Sequence, residues 1–137
     1  MATEQNITEA RRWFRQAEDD LSAARILSAN QKFAQACFLC QQSGEKALKA
    51  IWYWLDKDPW GHSIVKLIED LDHKTIRSNL LQLRDRAVNL DRLYIPTRYP
   101  NGLPELVPLE AFSASDSDLA EKGVREILEA AKEILKL

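Results

Sequence analysis

Apolar residues recur at steps of three and four along this chain, with almost no β-branched alternation. That step is the repeat of one helix face, so the spacing predicts an all-α fold. Asn6-Ile7-Thr8-Glu9 has capping-box spacing and is followed by Ala10, Trp13, Ala17, Leu21, Ala24 and Leu27, a first helix ending near Asn30. Phe33, Cys37, Cys40, Gly44, Ala47, Ile51 and Leu55 carry the rhythm through a second helix, which Pro59 stops. Gly44 falls on its apolar stripe, where the missing side chain marks a helix crossing.

A short third helix follows the Trp60-Gly61-His62-Ser63 turn, with Ile64, Leu67, Ile68 and Leu71 inward and Ser63 or His62 near its cap. Ile76, Leu80, Leu83, Ala87, Leu90 and Tyr94 predict one fourth helix from about Thr75 to Tyr94. Residues 95–114 contain Pro96, Pro100, Pro104 and Pro108 and are expected to form a long loop, a candidate functional segment. Ser115-Asp116-Ser117-Asp118 offers the cap of a last helix, with Ala120, Val124, Ile127, Ala131 and Ile134 facing in. The sum is an up-and-down bundle of four long helices plus one short helix, a single domain without repeats or linkers.

A chain of 137 residues can bury a core without disulfide or metal staples. A net charge of -2 argues against nucleic-acid binding by bulk charge. Ile51 to Leu55, the longest apolar run, is too short for a bilayer, so a cytoplasmic protein without membrane contact is expected. Cys37 and Cys40 lie mid-helix with no second pair and no histidine at ligand spacing, and read as buried thiols; no metal site and no cofactor are expected.

Chemistry concentrates in two places. On the second helix Gly44, Ala47, Leu48 and Ile51 share one side, and Gln42, Glu45, Lys46, Lys49 and Tyr53 the other, which on residue chemistry alone reads as a solvated charged face. Trp52, Tyr53 and Trp54 point in three directions 100° apart, so at least one is expected to be exposed or in a dimer interface. His62 reads first as a capping or turn-locking residue. In LDRLYIPTRYPNGLP, residues 90–104, Arg98 lies between Thr97 and Tyr99, where its donors could hold a phosphate or carboxylate, or the protein's own helix-end carbonyls or Asp91.

Four stretches in order, WFRQAEDDLSAA, ACFLCQQSGEKALKA, PWGHSIVKLIEDL and LDRLYIPTRYPNG, make the chain similar to a HEPN domain, the helical domain named for higher eukaryote and prokaryote nucleotide binding. The resemblance covers residues 10–130 and implies a four- or five-helix bundle that often pairs as a homodimer. Some HEPN proteins are metal-independent ribonucleases in which an arginine precedes a histidine by four to six residues. Neither His62 nor His73 has an arginine in that window, so no catalytic residue is assigned and the ribonuclease pattern is missing. Others are non-catalytic companions of a separately encoded nucleotidyltransferase. This chain carries no nucleotidyltransferase motif and resembles that companion.

On family-like positions Lys46 and Lys49 would be phosphate-facing cations, Tyr94 and Tyr99 walls and Arg98 an anion clamp, with His62 completing a nucleotide or anion site. The leading expectation is therefore a homodimeric, non-catalytic protein that binds nucleotide, a nucleotidyltransferase partner or both, within a toxin-antitoxin pair. The alternatives are an endoribonuclease toxin that joins His62 with Arg98 to act on RNA, and an interaction-only bundle.

Overall fold

The computed structural model describes residues 2–137. Its helices are α1 (Glu4–Ala29), α2 (Phe33–Trp54), α3 (Ile64–Glu69), α4 (Lys74–Leu81), α5 (Arg84–Asp91), α6 (Pro108–Ala111) and α7 (Ala114–Ile134), with a 3-10 turn at Pro100–Gly102. The all-helical bundle is as the periodicity predicts. α2 is its centre, packed against α1, α3, α5, α6 and α7. Its most extensive partner is α1, where the Ser43 hydroxyl donates 2.6 Å to the Ala17 carbonyl and the helices meet through small residues. α7 closes the other side, with Val124, Ile127 and Ala131 fully buried.

Several boundaries differ from expectation. α1 starts at Thr3, whose hydroxyl accepts from the Asn6 N–H at 3.1 Å, rather than at Asn6. α1 and α2 both stop on left-handed residues, Gln31 (φ 65°) and Asp56 (φ 57°). Beyond each, an amide reaches back across the helix end: Lys32 N–H to the Leu27 carbonyl at 2.8 Å, and Lys57 N–H to the Trp52 carbonyl at 2.9 Å. α2 therefore ends before Pro59 can act.

The predicted fourth helix is two helices. At Gln82 and Leu83 the amides bond three residues back, to Asn79 and Leu80, which tightens the chain between α4 and α5. The break falls where the apolar stripe steps by three, Leu80 to Leu83, so the buried face continues although the α-ladder does not. Tyr94 lies past the end of α5, in a run of turns rather than in a helix. Residues 95–114 contain the 3-10 turn and α6 instead of structureless loop. α7 is capped by Ser113, two residues before the predicted start: the Asp116 carboxylate accepts from the Ser113 N–H at 2.8 Å.

Gly44 is a crossing point, but side-chain ends come close rather than another backbone. A Cβ there would lie 2.8 Å from Ile64 Cδ1, 3.4 Å from Leu90 Cδ1 and 3.6 Å from Val124 Cγ2, so α3, α5 and α7 converge on it.

Candidate functional site

The side of α2 that reads as a solvated charged face is largely covered. Glu45 is only 4% exposed. Lys49 Nζ lies 3.2 Å from its carboxylate, His62 Nδ1 lies 3.3 Å from Oε1, and Gln41 Nε2 donates to Oε1 at 3.4 Å. Lys46 pairs at 2.5 Å with Asp20 of α1, which also accepts from Gln16 Nε2 at 2.9 Å. The packing of α1 on α2 explains this: charges that cannot reach water find a partner across the interface. Lys46 and Lys49 thus each hold an internal carboxylate, and Lys49 also lies 5.8 Å over the Trp13 ring.

Nor is any of the three adjacent aromatics of α2 fully exposed. Trp52 Nε1 donates 2.9 Å to the Leu67 carbonyl, Tyr53 stacks on Trp13 at 5.4 Å, and Trp54 packs against the core. Three directions are served by three neighbours because α2 is surrounded.

The turn between α2 and α3 is pinned from both sides. Gln41 Nε2 donates to the His62 carbonyl at 2.9 Å. Ser63 caps α3, accepting from the Lys66 N–H at 3.1 Å, as the sequence suggests. Asp91, at the end of α5, accepts from the Ser63 hydroxyl at 2.7 Å, Ile64 N–H at 2.8 Å and Val65 N–H at 3.1 Å. Asp91, which the sequence offers as a partner of Arg98, thus takes the start of α3 instead. One carboxylate fixes the distance between the His62 turn and the Tyr94 turn.

Pro96 supplies no N–H to continue the α5 ladder, and the chain turns on itself instead. The Arg98 and Tyr99 amides both bond the Ile95 carbonyl, at 3.1 and 3.2 Å, and the Thr97 hydroxyl donates to the Leu93 carbonyl. The Tyr94 carbonyl is taken by Arg98 Nε at 2.9 Å. Arg98 therefore reaches back to the protein with one edge only. Its guanidinium carbon lies 4.5 Å from the Phe38 ring centroid, 4.5 Å from Tyr94 and 5.0 Å from Tyr99. Tyr94 in turn stacks on His62, centroids 5.0 Å apart and planes 17° apart.

The fold thus gathers His62, Tyr94, Arg98 and Tyr99 into one run of contacts, joined through Glu45 to Lys49. Lys46 faces away, bordering an open groove of about 720 Å³ along α1 with Arg12, Trp13 and Arg15. Among the described residues, no carboxylate is ion-paired with Arg98. Two contributors escaped the sequence reading. Phe38 stands beside the buried stripe of α2, and Glu45 passes for a surface partner of Lys49. Spacing gives their helix and face but not what the later turns lay across them.

Cys37 and Cys40 are fully buried. Burial, then the Asp116 and Glu121 carboxylates, pushes the Cys37 thiol up from 9.0 to about 12, and burial foremost pushes Cys40 up as well. Such thiols carry no nucleophilic chemistry. Among the described residues no group of three or more His, Cys, Asp or Glu converges as a metal site, and no helix is long and apolar enough to cross a membrane.

The family model of the HEPN domain matches residues 10–137. The chain belongs to the HEPN domain family. Among solved structures similar to this HEPN chain, TT1696 from Thermus thermophilus superposes with a TM-score of 0.84 at 32% identity, covering 91% of this chain and 97% of that one. ST0689, described as an archaeal HEPN homologue, gives 0.75 at 31% identity over 92% of this chain and 97% of its own. A curated relative from Methanocaldococcus jannaschii, named "Putative toxin MJ1304", is 26% identical over 138 aligned residues, 96% of this HEPN chain and 91% of that protein.

Proposed function

We propose that this HEPN protein binds a nucleotide at the Arg98 platform and acts without catalysis of its own, as the nucleotide-responsive member of a toxin-antitoxin pair with a nucleotidyltransferase. One observation carries the reading: a guanidinium anchored by a single edge, ringed by Phe38, Tyr94 and Tyr99, with no carboxylate partner among the described residues. Aromatic faces hold the guanidinium plane, and the bond from Nε to the Tyr94 carbonyl sets its direction. The remaining donors are suited to a phosphate fork. Lys46 and Lys49 hold Asp20 and Glu45, so Arg98 is the cation on which binding rests. The relative named as a toxin supports the biological setting.

Calorimetric titration of ATP into wild type, Arg98→Lys and Arg98→Ala tests the ligand. Loss of a charge-assisted contact predicts at least roughly tenfold weaker binding for Arg98→Ala. Equal heats from all three would remove Arg98 from the reading. Copurification with a nucleotidyltransferase encoded beside it tests the partner. Sedimentation across concentrations tests the homodimer, for which the apolar side chains Ile95, Leu106, Val107 and Leu109, all exposed, supply contact surface.

A second reading is favoured by one feature: His62 and Arg98 both meet the Tyr94 ring. A proton-transfer group and a phosphate-stabilising cation are then neighbours without the family's sequence spacing. Degradation of total RNA in EDTA, lost in His62→Ala, is the outcome that reading requires.

A further inference from the structure

Trp60 is 89% exposed, more than any other large apolar side chain described. The sequence drew attention to its neighbours and not to it. Tryptophan loses more than most residues by remaining in water, and the other three tryptophans are at least partly covered. The backbone beneath it is nonetheless tightly set. Pro59 restricts the approach, and Gly61 turns the chain at φ +89°, a conformation that side chains rarely adopt. The next residue, His62, is held by Gln41, Glu45 and Tyr94. Two chain steps limit the Trp60 Cα to about 7.6 Å from that of His62.

An uncovered indole thus stands on a fixed turn two residues before His62, whose ring stacks on Tyr94, and the Tyr94 ring also meets Arg98. The geometry points to Trp60 as the stacking wall for the base of a nucleotide whose phosphates Arg98 receives. This rests on the nucleotide-binding reading and adds to it a division of labour. Tyr94 and His62 form the floor between the two ends, and recognition of the base is by a π face rather than by hydrogen bonds, tolerant of base identity.

Binding of ATP and of inorganic tripolyphosphate, which has phosphates and no base, separates the two ideas. Trp60→Ala is expected to weaken ATP about tenfold, as loss of one base stack does, and to leave tripolyphosphate unchanged. Trp60→Phe should retain most of the ATP affinity. Because the indole makes no core contact, both variants should keep the wild-type helical signal. If Trp60→Ala binds ATP like wild type, or weakens both ligands by the same factor, Trp60 is not the base wall. Loss of both ligands in Arg98→Ala with neither changed in Trp60→Ala would leave the nucleotide reading standing and this inference refuted; no binding of either ligand to wild type would refute both.

Discussion

Asp91 shows how one side chain can set the geometry of a site it does not enter. Its two oxygens accept three bonds from the start of α3, and α3 begins immediately after Ser63, the residue that follows His62. Asp91→Ala leaves two part-buried amides and a hydroxyl unpaired, for an expected loss of about 2–3 kcal/mol in urea unfolding. A second effect should accompany it: ATP affinity should fall although Asp91 touches no proposed ligand atom. Gly44 is the complementary case, constrained by space. Gly44→Ala places a Cβ 2.8 Å from a flexible Ile64 methyl, so gained helix propensity offsets part of the strain and the net loss should be about 1 kcal/mol. Gly44→Leu has no such outlet and should prevent folding, visible as lost thermal cooperativity. The sequence exposes Gly44 by its place on a stripe. Asp91 it offers only as a partner of Arg98, because α5 and α3 are brought together only by packing.

Helices were legible where their rhythm was continuous, and their ends were not. α1 and α2 stop on Gln31 and Asp56, residues that give none of the usual glycine signal for a left-handed end. Gln31→Gly should relieve that conformation and raise stability by about 0.5–1 kcal/mol in urea unfolding; a loss would mean that the Gln31 side chain has a role of its own. The α4–α5 break is invisible for a related reason, since no proline or glycine marks it and the apolar step of three suits either ladder. The α1–α2 face misled differently: a charged stripe reads as solvated unless another helix covers it. Asp20 and Lys46 are nearly withdrawn from water, with side chains 10% and 23% exposed. Asp20→Ala alone strands a lysine and should cost about 3 kcal/mol, whereas Asp20→Leu with Lys46→Met should cost much less, a difference read from a double-mutant cycle.

For the whole molecule, the helical bundle follows from periodicity, while the Arg98 platform depends on turns in which no periodicity operates. The core also gives the protein a defined response to alkali. In the unfolded chain the thiols lose their protons near 9.0, whereas native Cys37 keeps its proton to about 12, with Cys40 and the Tyr53 phenol raised in the same direction by burial first. The unfolded state therefore releases protons that the native state retains, and stability should be unaffected by these groups below about pH 9 and decline as pH rises from there towards about 12. Cys37→Ala with Cys40→Ala should flatten that decline, and neither thiol should react with an alkylating probe at about pH 8 until urea unfolds the chain. The central place of α2 has a consequence in time as well. Its side away from α1 is covered chiefly by α7, with α3 and α5 adding less, and α7 ends at Ile134, eighty residues after α2 ends at Trp54. At ribosomal speeds of roughly 5–20 residues per second, the emerging α1–α2 hairpin waits on the order of ten seconds with Cys37, Ala47 and Ile51 uncovered. For a growing chain the final helix is a lid on an open core, so arrest before residue 114 should leave a nascent product that holdase chaperones retain.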